Sequence, residues 1–448
     1  MKLLNYFLFT AIFAFLAVFF LGEKTSYDYV FLLPLSVFIL TLFFKRTLLL
    51  YNNSIVYYLV LLQISFRYLL LPILIAKGGI MNAGNYTSYG EETIFFMVIE
   101  VLSVYLVLAI NAYKHKKVIQ NNAPIREFIE PNFILIIILG LTFSYIYLSG
   151  YFYKVNYIWE LRNYIENKAD FDNGSALAGI LFYPLRVIIS LLFFSLIYTS
   201  RLKRNFKILF VLGIIALNSV IIVGTSRFGI LLNILPLFFI SYIVFNKIKM
   251  YITIGLISIL IPVIVISTLA KFKTDYQDSH NTSLTSAANL NAYFSGPGNV
   301  STGLELYFSE EPWNNTSFLY NDLFQNVPIM SKYTDNKFKT NIFFNEKIYG
   351  HRLYQDQIVP LSLNGLIHFG LIGVFIYPMF FIWLALVFER KFFKAKFIGY
   401  KFVFITLAIT LSLVFMLNIG SLVAAIFTNL VFIFLSIYLI RFLTLKLK

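Results

Sequence analysis

Apolar runs of membrane-crossing length, separated by short polar breaks, make up most of this chain. They fall at 3–22, 28–44, 54–76, 93–113, 132–150, 177–200, 208–223, 228–245, 250–270, 360–387, 402–420 and 421–440. A bilayer core takes about 20 apolar residues as a helix, so the pattern predicts twelve membrane-spanning helices. Two polar intervals interrupt it, Tyr151 to Ala176 and the much longer Lys271 to Gln357. Polar intervals of that length are functional or disordered. Trp313 and the frequent Tyr and Phe of the longer one favour a folded cap. The expected fold is an all-α polytopic integral membrane protein. It has transmembrane helices 1–9 in residues 1–270, a large, partly helical external loop over an embedded site in 271–357, and transmembrane helices 10–12 in 358–448.

Composition agrees with this class. Hydrophobic residues make up 59% and charged residues 13%, and the mean hydropathy is +0.78. A soluble domain carries about 25% charged residues. The absence of cysteine removes disulfides, thiol nucleophiles and cysteine metal sites. His115, His280, His351 and His368 are too dispersed for a local metal motif. The first apolar run has no small-residue cleavage site after it and is expected to stay as a helix.

The net charge of +15 changes the picture only through its distribution. With the N-terminus inside, the internal segments hold 21 Lys and Arg against three acids, Glu127, Glu130 and Glu389. The external segments hold 13 Lys and Arg against 17 acids. This positive-inside bias puts both termini in the cytoplasm and the long interval outside. The excess positive charge faces anionic lipid, and no nucleic-acid partner is expected. No Gly-rich nucleotide motif is present.

Three ionisable residues sit inside apolar runs: Arg67, Glu100 and Arg186. Counted at 1.5 Å per residue they lie about 14, 11 and 14 Å below the external ends of their helices. Shared depth suggests one outward-open polar cavity. An Arg67–Glu100 structural pair, with Arg186 on carbonyls freed near Pro184, is the alternative. Gly224-Thr225-Ser226-Arg227-Phe228-Gly229 reads as an external turn that opens a helix. Free N–H groups and the Arg227 fork make an anion site there, or Arg227 snorkels to headgroups. At the end of the long interval, His351, Arg352, Asp356 and His368 follow one another. Imidazole titrates near neutral pH, so His368, then His351 and Asp356, are candidate bases. Asp170-Phe171-Asp172 has metal–nucleotide spacing but falls on the external side, where nucleotide sugars are absent.

From Tyr151 to Ile382 the chain resembles the Wzy-type oligosaccharide repeat-unit polymerases of O-antigen and capsule assembly. Four pieces carry the resemblance. They are Trp159-Glu160-Leu161-Arg162-Asn163-Tyr164, the Gly224 to Arg227 turn, Ala292-Tyr293-Phe294-Ser295-Gly296-Pro297, and Ser362-Leu363-Asn364-Gly365 followed by His368-Phe369-Gly370-Leu371-Ile372-Gly373. The resemblance implies a bacterial inner-membrane glycosyltransferase that needs neither metal nor other cofactor. It would move a growing glycan from a polyprenyl diphosphate to the terminal sugar of another lipid-linked repeat unit on the external face. Arg162, Arg186, Arg227 and Arg352 would hold the diphosphate. His368, Arg227, His351 and Asp356 would be catalytic, and Asn364 would line the cavity with Arg67 and Glu100. Partners would be lipid-linked oligosaccharides and membrane lipid, with a chain-length regulator and a flippase as candidate protein partners. A lipid-linked oligosaccharide flippase and an O-antigen-ligase-like transferase remain alternatives.

Overall fold

A computed structural model describes residues 2–21, 27, 29–78, 89–120, 123–157, 176–223, 227–272, 282–309, 315–350 and 357–446. The chain is a membrane-embedded α-helical protein. Among the described residues, six helices are long and apolar enough to cross a bilayer alone. The number is eight if each of two bent helix pairs is one span, and Phe133–Leu148 and Ile398–Ser412 are shorter apolar helices. The chain divides into two compact units.

The first unit comprises Met1–Asn121, Ser279–Arg390 and Ala408–Ile426. Lys2–Leu21 packs on Leu32–Phe43, which in turn packs on the 31-residue helix Gly90–Gln120. Ile55–Lys77 forms one span whose middle, Ser65–Leu70, is a π segment. Such bulges recur at functional positions in helices. Ser54 caps this span, accepting from Tyr57 N at 3.2 Å. Its hydroxyl also donates to Glu389 Oε2 at 2.7 Å, and Glu389 Oε1 accepts Ile55 N at 2.5 Å. A buried carboxylate thus satisfies the free N–H groups of a helix start. Glu389 also meets His115 Nε2 at 2.9 Å, so this acid, read from sequence as a loop charge, is an interior group.

The described part of the long polar interval folds as four helices, Thr282–Phe294, Pro297–Ser309, Asn315–Phe324 and Thr340–Tyr349. Pro297 opens the second of them, where its missing N–H costs nothing. Asn291 Oδ1 accepts Gly298 N at 2.9 Å, and Asn299 Nδ2 reaches Ile358 O at 2.9 Å. These amides tie the start of the insert to its end. The single apolar run expected over 360–387 is broken. Leu361–Phe369 ends at Gly370, whose φ of 64° and ψ of −156° stop the helix, and Leu371–Lys394 follows.

The second unit comprises Asn122–Asp278, Lys391–Leu407 and Phe427–Lys448. Phe133–Leu148 starts at Asn132, whose side chain accepts Leu135 N at 2.7 Å. It packs on Ala176–Thr199, and that helix packs on Arg204–Val220. Val155–Tyr157 and Ile221–Val223 pair as a small antiparallel ribbon, with Asn156 opposite Ile222. The runs expected at 228–245 and 250–270 form helices, and Leu232–Val244 meets Asn246–Pro262 at 103°. Glu127 Oε2 pairs with Arg441 Nη2 at 2.6 Å.

Candidate functional site

Two of the three intramembrane charges come together. Arg67 Nη1 lies 2.7 Å from Glu100 Oε2, with both side chains 1% exposed. Tyr68 donates its hydroxyl to Glu100 Oε2 at 3.2 Å, and the guanidinium carbon lies 4.4 Å from the Phe415 ring centre. Among the described residues, Arg67 Nε and Nη2 and Glu100 Oε1 have no hydrogen-bond partner. Arg186 has other partners. Its Nε donates to Asn218 Oδ1 at 2.6 Å and its Nη2 to the Asn218 carbonyl, which lies in the last turn of Arg204–Val220. Arg186 thus binds a helix C-terminus, where a cation is favoured, and not the carbonyls near Pro184.

The Arg67–Glu100 pair sets up a test. Removing one partner leaves a buried charge uncompensated, which costs on the order of 3–5 kcal/mol. Arg67→Met should therefore lower the melting temperature in detergent sharply, and Arg67→Met with Glu100→Gln should recover much of it. An unchanged melting temperature in Arg67→Met would show that Glu100 reaches water.

A richer constellation centres on Asp322, which is fully buried in the helix Asn315–Phe324. Oδ1 accepts Thr340 N at 2.8 Å. Oδ2 accepts Thr340 Oγ1 at 2.5 Å, Asn364 Nδ2 at 3.0 Å and meets His368 Nε2 at 3.0 Å. Thr340 opens its own helix, so its N–H is one of the free donors of a helix start. Asn364 and His368 stand four residues apart on Leu361–Phe369, which puts both on one face. His368 Nδ1 lies 2.8 Å from the hydroxyl of Tyr377, on Leu371–Lys394.

The break at Gly370 returns Tyr377 to His368. It also brings Gly365 against Gly373 so closely that a Cβ on either would overlap the other's carbonyl. On the far side, a Cβ at Gly420 would fall 2.9 Å from Asp322 O. Backbone contact therefore fixes the distances within the cluster.

The hydrogen bonds are met by one tautomer of a neutral His368. Asp322 takes four donors, the environment of an ionised carboxylate. In the tautomer with the proton on Nε2, His368 donates to Asp322 and its Nδ1 accepts from Tyr377. Both ring nitrogens are engaged inside the protein. One valence in the cluster stays open: Asn364 Oδ1 is buried and has no partner among the described residues. That acceptor suits a hydroxyl or water.

Of the residues singled out from sequence, His368 and Asn364 share this cluster. Arg227 is the first residue of Arg227–Val244. Arg162, His351, Arg352 and Asp356 lie outside the described residues. Asp322, Thr340 and Tyr377 were not foreseen. The usable signal was the Asn364–His368 spacing, which presents two polar groups on one helical face and so calls for a buried partner. Among the described residues, no three His, Asp or Glu side chains gather as metal ligands. Comparison of the chain with protein families, with characterised proteins and with solved structures returns no match.

Proposed function

We propose that this chain is a polymerase of surface polysaccharide that works on lipid-linked repeat units at the external face of a bacterial plasma membrane. The observation that supports it is the buried Asp322–His368–Tyr377 chain beside the open acceptor of Asn364. It involves Ser362–Gly373, one of the pieces on which the family resemblance rests. Glycosyl transfer to a sugar hydroxyl needs a base for the acceptor and stabilised charge on the leaving diphosphate. In this reading Asn364 Oδ1 accepts the hydrogen of a sugar hydroxyl. The acceptor hydroxyl gives its proton to Tyr377 Oη as Tyr377 passes its own to His368 Nδ1. Its oxygen forms the new bond to the anomeric carbon, and the bond from that carbon to the diphosphate breaks. Asp322 balances the imidazolium, as the acid of a hydrolase triad does. The family resemblance assigns the diphosphate to Arg162, Arg186, Arg227 and Arg352, planar forks for phosphate oxygens.

The deciding experiment supplies purified protein in vesicles with polyprenyl-diphosphate repeat units. A ladder of lengthening glycans is expected. Transfer of a single finished glycan to a different acceptor would mark a ligase. Translocation without growth would mark a flippase.

The topology within this reading has both termini in the cytoplasm and the long insert outside. The chain has no cysteine, so Ser309→Cys introduces a single thiol at an exposed position. A membrane-impermeant maleimide should label it from outside intact cells. Labelling only after the cells are opened would reverse the topology.

A further inference from the structure

A groove of about 870 Å3 in the second unit is lined by none of the residues of the Asp322–His368–Tyr377 chain. It runs along Ala176–Thr199 and Arg204–Val220, and its walls include Phe182, Phe193, Leu209, Phe210 and Leu217. Phe193, Leu209, Phe210 and Leu217 are exposed. Polar groups close one end. There Arg186 binds Asn218, and Asn218 Nδ2 donates to Ser190 Oγ at 3.0 Å. Ser200 and Leu202 line the other end. From Arg186 to Ser200 the helix covers about 21 Å at 1.5 Å per residue. That is the reach of one extended acyl chain.

The chain around Ser200 and Leu202 is cationic. Arg201, Lys203, Arg204 and Lys207 crowd one short stretch with no acid among them. Lys207 Nζ donates to Ser200 O at 2.8 Å and Tyr198 O at 3.2 Å, which fixes the turn. Arg201, Lys203 and Arg204 are exposed, with the Arg204 guanidinium carbon 5.4 Å from the Tyr251 ring centre. A hydrocarbon channel one chain long with a basic entrance matches a lipid with an anionic head. A zwitterionic head would leave these cations without a net countercharge.

We infer that this groove holds one acyl chain of an anionic phospholipid, with its phosphate on Arg201, Lys203 and Arg204. The lipid joins the two helices along their length and covers apolar surface that the protein itself leaves open. Gly213 gives a direct probe. It lines the groove, and a Cβ added there would meet no atom within 4 Å. A large side chain at this position fills the channel instead of colliding with its wall. Gly140 is similarly open and does not line the groove, so it serves as the control.

The test uses the full chain in nanodiscs, with phosphatidylglycerol carrying a photoreactive group on its acyl chain. Peptide mapping should place the label on residues 189–217 of the groove. Phosphatidylcholine with the same tail should label them about tenfold less. Gly213→Phe should lower groove labelling by about tenfold, and Gly140→Phe should not. Combined Arg201→Gln, Lys203→Gln and Arg204→Gln should erase the preference for phosphatidylglycerol, which tests the inference even if Gly213→Phe does not fold. Equal labelling by the two lipids in the unaltered protein would overturn it. So would full labelling of a folded Gly213→Phe. Loss of the label to equimolar polyprenyl phosphate would assign the groove to a prenyl chain and overturn it as well.

Discussion

Gly373→Ala should unfold the turn that carries Tyr377. A methyl group there would overlap the carbonyl of Gly365 and fall 2.8 Å from the Gly365 Cα. The obstacle is backbone, not the tip of a flexible side chain, so the two helices must separate to admit it. Overpacking of this kind costs on the order of 3 kcal/mol. Separation would also pull Tyr377 from His368, which lie within 2.8 Å at their polar atoms. A fall of several degrees in melting temperature in detergent and loss of product are expected together. Gly140→Ala is the comparison, because nothing lies within 4 Å of a Cβ there. Alanine at an open helical position is neutral or stabilising, by up to about 1 kcal/mol. A Gly373→Ala protein that melts like Gly140→Ala would show that the two helices can part at little cost.

The two kinds of information in the chain were not equally legible. Apolar length is a local property, so the apolar runs could be read and most of their length is helix, but the run expected at 402–420 stops at Ser412 and the boundary expected at Gly420-Ser421 falls inside Ile419–Phe427. Breaks inside a run were not legible, because Gly370 sits in continuous hydrophobic sequence and its turn depends on its φ and ψ alone. His368 and Asn364 were visible as polar groups on an apolar stretch. Asp322 was not. It stands 42 residues before Asn364 and 46 before His368, and on its own it looks like any loop acid. Glu389 was hidden in the same way. It lies in a basic stretch that reads as a topology signal, but its partner Ser54 is 335 residues away. Arg67 and Glu100 were legible as costly charges, because burial penalises a charge wherever its partner is. Their mutual pairing was the alternative that the sequence offered to a shared open cavity, and the fold forms it.

Asp322→Asn should abolish glycan growth in a protein that still assembles. The carboxylate accepts from Thr340 N, Thr340 Oγ1 and Asn364 Nδ2 and fixes the Nε2 proton of His368. An amide keeps the shape but presents one oxygen and one NH2 group. With NH2 toward the ring, Nε2 must accept, and the imidazole takes its proton on Nδ1. Nδ1 then donates to Tyr377 and cannot receive a proton from it. In a hydrolase triad the equivalent change costs about 10⁴-fold in turnover with geometry kept, and a loss of 10³-fold or more is expected here. Asp322 acts through His368, so it is a positioning residue, and loss of rate alone would not distinguish it from a structural prop. Binding of lipid-linked substrate should therefore persist. Tyr377→Phe, which removes one hydroxyl and keeps the ring, should lose growth with little change in melting temperature. His368→Gln should do the same, since an amide cannot carry the transferred proton. If Asp322→Asn and Tyr377→Phe both build polymer at the normal rate, the cluster only braces the helices and the base lies elsewhere, with His351 and Asp356 next in line.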